Sequence, residues 1–519
     1  MTRADRLGAG GLLLALAWLA ANPGPVLLAA PVKGLTHAPL LSRAFDLVYD
    51  ADFAGAERAL AAACGPAPPQ ACDVVRAAGA WWRLYLDFDD RSRDAALLTE
   101  VAGVIARGEA WVRREPERAE AWLYLGAAYG VRVQYHGQRL EVLAAARDGK
   151  RIKNALERAL ALDPDLHDAH AGIGLYRYYA GMAPSIFKIL RWFLGLPGGN
   201  REAGIAQLRR AREHGVLMRS EAAYQIYFAD IWYENKPDEA LELLAELRAR
   251  HPGNPMFLLN TAQVHEIYRQ DIPAALAAYR ALVDGARRGS LHEAVLAETW
   301  GHLGAASQLQ ALAEQDRAIE EARAVVALRP ERPYGAVALA HLEAARAADA
   351  LGRREEAVAS YRAAQEAAPL GDPRLVRRAA QRGLQRAPDA GTAEAARRSL
   401  DGWRAFERGA FEEALAELDR AVAARGQDGV HRYRRARVLA ATGDRARARE
   451  DFQRALDSRP PPPPPFVAAS YAGLGALAEA ASDPARAAAM YGAALRVRGA
   501  FPDTQDQARR ALQRIRSPR

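Results

Sequence analysis

An all-α solenoid of antiparallel helix pairs is the fold class this sequence predicts, and three observations predict it. Half of the residues are hydrophobic while aromatics make up only 8%, so Ala carries much of the apolar content, as in closely packed helices. β-branched runs and period-2 alternation are rare, which argues against a sheet. One helical pattern of large and small residues returns in phase along the chain, punctuated by Gly and Pro. With 519 residues the chain is long enough for several domains or one extended array.

The N-terminus reads as an export signal over residues 1–30. Arg3 and Arg6 precede an uncharged stretch from Leu7 to Val32, centred on LLLALAWLAA. Asn22-Pro23-Gly24-Pro25 interrupts it, so neither half reaches the roughly 20 apolar residues of a spanning helix. Cleavage after Ala21 or Ala29 and export to a periplasm or cell envelope follow as expectations. The alternative is an inner-membrane anchor retained over residues 7–32. The apolar run meets no Cys before Cys64, which excludes a lipoprotein attachment site there.

Cys64 and Cys72 are the only cysteines, in ACGPAPPQACD. In an exported chain a single close pair most simply forms one disulfide, worth roughly 2.5 kcal/mol on the chain-entropy model. The net charge of +8 does not point to nucleic acid. Arg supplies 66 of the 71 basic residues, scattered among Glu and Asp as on a solvated helix face.

The repeat is clearest in AEAWLYLGAAYG. Trp122, Leu125, Gly126 and Tyr129 are spaced by three, four and seven, which puts all four on one helical stripe. The pattern returns as Trp300, Leu303, Gly304 and as Tyr471, Leu474, Gly475. A second-helix pattern returns as Ala240-Leu244-Leu247, Ala357-Tyr361-Ala364, Ala448-Phe452-Ala455 and Ala487-Tyr491-Ala494. The first three of these stop at Pro252, Pro369 and Pro460, since Pro cannot continue the hydrogen-bond ladder.

On these residues the chain resembles the tetratricopeptide-repeat superfamily, with about nine units from Ala119 to Ala500. The resemblance implies a right-handed superhelical solenoid in which each helix pair buries its face against its neighbours. Residues 31–118 read as an N-terminal helical cap with the Cys64–Cys72 clasp, and 119–254 as enlarged repeats. Residues 255–390 and 391–459 read as further repeats, and 466–519 as the last repeat with a closing helix. Six prolines over 460–465 predict a polyproline joint of roughly 19 Å between stacks.

In the first enlarged unit, counting from the motif position of Trp122, a 34-residue unit would end at a Pro near position 150; the terminal Pro falls at Pro164, fourteen residues later. Fourteen residues are nearly four turns, which both helices can share by lengthening. The next unit is interrupted by an apolar insert over 182–204, MAPSIFKILRWFLGLPGGNREAG. The stretch from Pro184 to Pro197 is too short, at about 21 Å, to span a bilayer. It reads as a buried wall, with Phe187, Trp192 and Phe193 facing the groove; membrane contact is the alternative. LPGGNREAG and ARHPGNPMFLLNTAQ are also distantly similar to a branch of the superfamily found in eukaryotic outer-membrane and lipid-droplet-clearance proteins.

Motifs for catalysis are missing: no G-x-S-x-G, H-E-x-x-H or G-x4-G-K-[ST] occurs. Ser185 and Lys188 match S-x-x-K without its companion motifs. The glycines of LPGGNREAG lack the preceding strand and following Lys of a phosphate loop. His167, Asp168 and His170 share a helix start but show no third ligand nearby, and Asp163 or Asp165 reads as a cap. No metal or cofactor is predicted.

In the superfamily, ligands lie in the concave groove lined by first helices, and the two residues past the Tyr position face it. Here those places hold Tyr178 and Tyr179, then Trp232 and Tyr233, followed by Glu266 and Ile267, then Gln308 and Leu309. Four aromatics in two adjacent units read either as a groove for a peptide partner or as core of the enlarged repeats. A carboxylate clamp needs Lys and Asn where this chain has Leu123, Ala127, Ala171, Leu175, Gln225 and Ala229. The sequence therefore predicts a non-catalytic protein–protein interaction scaffold of the cell envelope. The alternative is an envelope carrier or accessory protein enclosing a lipid or small apolar ligand, supported by the aromatic-rich text from Tyr176 to Tyr233.

Overall fold

The computed structural model describes residues 30–182 and 198–516. The N-terminal apolar run lies outside the described residues, and so does most of the insert, including Phe187, Trp192 and Phe193. Among the described residues the secondary structure is helical, apart from one isolated parallel bridge between Val32 and Arg118.

Four helices precede the array: α1 (Ala38–Tyr49), α2 (Phe53–Ala63), α3 (Pro69–Tyr85) and α4 (Asp94–Arg114). The enlarged repeats follow as α5 (Ala119–Gln138) with α6 (Val142–Leu162), then α7 (Ala169–Met182) with α8 (Arg201–His214). Helices α5 and α6 run to 20 and 21 residues, so the fourteen extra residues do lengthen both. Next come α9 (Arg219–Ala229), α10 (Pro237–Arg250), α11 (Pro255–Gln263) and α12 (Ile272–Arg287). The first helices α9 and α11 each run into one π turn, at Asp230–Glu234 and Val264–Tyr268. Further pairs are α13 (Ala294–Ala311) with α14 (Gln315–Leu328), and α15 (Ala336–Ala350) with α16 (Arg354–Ala367). After a short α17 (Val376–Gln385), α18 (Ala390–Glu407) pairs with α19 (Phe411–Ala424). The array ends with α20 (Gly429–Thr442) and α21 (Arg445–Asp457), α22 (Pro464–Ala480) and α23 (Pro484–Arg496), and α24 (Pro502–Arg516).

Local chemistry accounts for these boundaries. Gly443 takes φ +92° at the end of α20, and the next residue, Asp444, accepts the Arg447 N–H at 3.1 Å to start α21. Asp271, Asn254 and Asp483 cap α12, α11 and α23 in the same way. The recurring second-helix alanines Ala240, Ala357, Ala448 and Ala487 are fully buried, which lets the pairs approach closely. Gly126 packs on Leu156, where an added Cβ would come within 2.5 Å of the Leu side chain. Cys64, at the end of α2, is bridged to Cys72 in α3.

Two expectations are refined. The N-terminal helices do more than cap the stack: α4 packs on α5, with Trp111 6.3 Å from Tyr124 ring to ring and the Tyr129 hydroxyl donating to Glu109 at 2.6 Å, while α1 and α3 reach the later repeats. Asn254 Nδ2 donates to the Tyr49 carbonyl at 2.5 Å, the Gly253 N–H to Asp50 at 2.7 Å, and the Tyr334 N–H to Asp87 at 2.9 Å. Arg374 pairs with Asp89 at 2.7 Å. The reason is the apolar surface of α1 and α3: Tyr49 and Trp82 are buried, and Trp82 finds its partners in Tyr224 at 5.4 Å and Phe257 at 6.1 Å. The proline run, likewise, is not a free rod. Pro464 and Pro465 begin α22, since Pro is favoured in a first helical turn, and Pro462 is buried against Gly429.

Candidate functional site

A partly open chamber of about 1410 Å³ lies between α1, α3 and the first helices of the enlarged repeats, and its lining continues to Trp300 on α13 and Leu339 on α15. Its size follows from small residues. Ala127 and Gly130 on α5 and Ala171 on α7 line it, so the wall stands back there, while Gly126 and Gly172 let α6 approach through Leu156. Leu123, Ala127, Ala171, Leu175 and Gln225, which occupy clamp positions, all line it and give it an apolar wall in place of a cationic one. Trp81, Trp82, Tyr85, Tyr224 and Tyr227 close one side as a connected set of rings, with Tyr224 at 5.4 Å from Tyr227 and 6.2 Å from Tyr85.

Polar groups in the wall satisfy one another. Glu221 is buried; its carboxylate accepts from the Tyr49 hydroxyl, from Gln225 Nε2 at 2.8 Å and from Gln134 Nε2 at 3.0 Å. Burial pushes its pKa up, and the three hydrogen bonds act against that rise. The Tyr85 and Tyr224 hydroxyls lie 2.8 Å apart, and Asn260 Nδ2 reaches Tyr224 at 3.3 Å. Glu266 accepts from the Tyr279 hydroxyl at 2.5 Å and from Gln308 Nε2 at 2.8 Å. Gln138, Gln263 and Ser307 also line the chamber and, among the described residues, have no such partner, so the wall keeps these polar groups for a ligand.

Of the four aromatics singled out in the sequence, three converge. Tyr179 lies 5.4 Å from Tyr178 and 5.8 Å from Tyr233. Tyr178 is buried and donates to Glu234 at 2.8 Å. Trp232 stands apart, stacked on Phe228 at 5.6 Å. Tyr179, Trp232 and Tyr233 line the chamber, and Trp232 and Tyr233 are exposed at its edge. Both belong to the π turn Asp230–Glu234, and Ile267 in the second π turn lines the chamber beside them. Sequence periodicity could not show these turns, because one inserted residue does not disturb a repeat of this length.

The histidine group does other work. The Asp168 carboxylate is taken up by the N–H groups of Leu217 and Met218 at 2.7 Å and of Val216 at 3.1 Å. Asp163 accepts the N–H of Gly34 at 2.8 Å and of Asp165 at 3.2 Å. His167 lies 6.2 Å from His170 and 5.3 Å from His214, ring to ring. Among the described residues, no three His, Cys, Asp or Glu are arranged to hold a metal ion.

Fold and site together define a class: an all-α repeat scaffold with an apolar chamber along its first helices. A family model described as tetratricopeptide repeat matches residues 230–290, 399–463 and 433–503, and a second model of that description matches 338–369. The matched segments are tetratricopeptide repeats. No curated protein matches it in sequence. Among solved structures, it is similar to a tetratricopeptide repeat protein from Parabacteroides merdae, at 16% identity and a TM-score of 0.27, over 57% of this chain and 99% of that one. It is also similar to the human IFIT1 dimer with m7Gppp-AAAA, at 14% identity and a TM-score of 0.21, over 94% of this chain and 87% of that one.

Proposed function

We propose that this chain is a non-catalytic scaffold of the cell envelope whose enlarged repeats enclose an uncharged apolar ligand of lipid size. The chamber of about 1410 Å³ carries the reading, since it exceeds the roughly 300–1,000 Å³ usual for drug-sized ligands. The mostly apolar wall favours a lipid over a peptide. A peptide backbone brings an N–H and a C=O per residue, and burying them without partners costs several kcal/mol. The test is extraction of the protein from its native host with organic solvent, followed by mass spectrometry. A bound apolar species should appear in stoichiometric amount, and Gly130→Trp should exclude it. Gly130 faces the chamber with nothing within 4 Å of an added Cβ, so the indole fills space the ligand needs. An empty extract from folded wild-type protein would overturn the reading.

A protein partner is favoured by a separate observation in the later repeats. The Arg437 guanidinium lies 5.9–6.0 Å from the rings of Trp403, Phe406 and Tyr433, and no carboxylate pairs with it among the described residues. Trp403 and Phe406 are only half-buried. A cation framed by aromatic rings suits an acidic peptide segment. Affinity capture from the native envelope with wild type and Arg437→Glu tests it; equal capture by both would exclude this surface.

A further inference from the structure

Six large apolar side chains stand in solvent around one side of the chamber. Leu140, Val142, Leu143, Trp232, Tyr233 and Ile267 are 48–83% exposed, and all six also line it. They come from three turns: the link between α5 and α6 with the start of α6, and the two π turns that end α9 and α11. Leu140 adopts φ +61°, a left-handed conformation unfavourable for an L-residue, so strain coincides with an apolar side chain left in water. Scattered exposed apolar residues need no explanation, but a ring of them at the edge of an apolar chamber does.

We infer that this collar seats on the surface of an anionic lipid bilayer, so that the chamber opens onto the membrane. The inference rests on the chamber holding an apolar ligand, as proposed above. Such a ligand gains a path between bilayer and chamber that never crosses water, and each methylene kept dry lowers the barrier to transfer. Trp and Tyr suit the interface, with an apolar ring and one polar atom. Charge is complementary as well. Arg147, one turn beyond Leu143, and Lys150 and Lys236 have no carboxylate within salt-bridge distance among the described residues. Three carboxylates next to the collar are engaged, Glu141 with His136, Glu234 with Arg201 and Glu266 with Tyr279 and Gln308, while Asp230 in the first π turn is buried beside Lys236. No helix among the described residues is long and apolar enough to cross a membrane, so the contact is at the surface.

Flotation of the full chain with phosphatidylglycerol/phosphatidylethanolamine vesicles tests this, beside phosphatidylcholine vesicles. Wild type should float with the anionic vesicles. Leu143→Asp with Ile267→Asp should lower the bound fraction about tenfold or more at an unchanged melting temperature. Arg147→Glu with Lys236→Glu should lower anionic binding by about tenfold while loading of diphenylhexatriene in vesicle-free buffer stays as in wild type. A photocrosslinker at position 143 should label lipid. Wild type that fails to float, variants that float equally well, or a crosslink to residues 183–197 or to another protein would each overturn the docking. Failed diphenylhexatriene loading by wild type that still floats would instead overturn the chamber reading alone.

Discussion

The Tyr49 hydroxyl donates to the Glu221 carboxylate across 172 residues of chain, joining the first described helix to α9 of the repeats. Both groups are buried, so each is the other's substitute for water. Tyr49→Phe removes one of three donors to a buried carboxylate. The expected cost is about 1–3 kcal/mol in urea unfolding, read as a lower midpoint at unchanged slope. An unchanged midpoint would show that this contact does not hold the N-terminal helices in place.

Trp82 and Trp232 both line the chamber, yet they should behave oppositely. Trp82 is buried among Tyr49, Tyr224 and Phe257, so Trp82→Ala should cost about 3–5 kcal/mol. Trp232 is exposed, and Trp232→Ala should change stability by no more than about 0.5 kcal/mol while weakening ligand or membrane binding. Thermal melts of the two variants check both, and a large loss at Trp232 would make it core.

His251 is buried against Tyr49 and Phe257, with Ser220 2.7 Å from its Nε2. Burial pushes its pKa down to about 4. Between about 4 and 6.5 the unfolded chain therefore binds more protons at this ring than the folded one, so its contribution to stability rises with pH and is lost on acidification. The stability advantage of wild type over His251→Gln should shrink by on the order of 2–3 kcal/mol as pH falls from 6.5 to 4. Raised carboxyls such as Asp230, held at about 6 by burial, act with the opposite sign but cancel in this comparison. A difference independent of pH would show that the ring titrates normally.

Cys64 and Cys72 are bridged. Protein taken from its native host should show no free thiol under denaturing, non-reducing conditions, as export to an oxidising compartment requires. Reduction should cost up to about 2.5 kcal/mol. Two labelled thiols in freshly isolated protein would sink the export reading.

Local and periodic features were legible without the structure. The stripe of Trp122, Leu125, Gly126 and Tyr129 announces a helix face, and Ala240, Ala357, Ala448 and Ala487 announce close helix contacts. Cys64 with Cys72 announces a short clasp. Each rests on neighbours within one or two turns, where side-chain spacing alone decides which groups meet. Tertiary structure decided what those faces pack against. Spacing along the chain does not say that Tyr224 and Phe257 would bury Trp82, because any apolar surface satisfies the same pattern. That choice brought α1 and α3 onto α9 and α11 of the repeats. It enclosed a chamber beside the small residues of α5 and α7, and it separated Tyr178, which became core, from Trp232, which the π turn left in solvent.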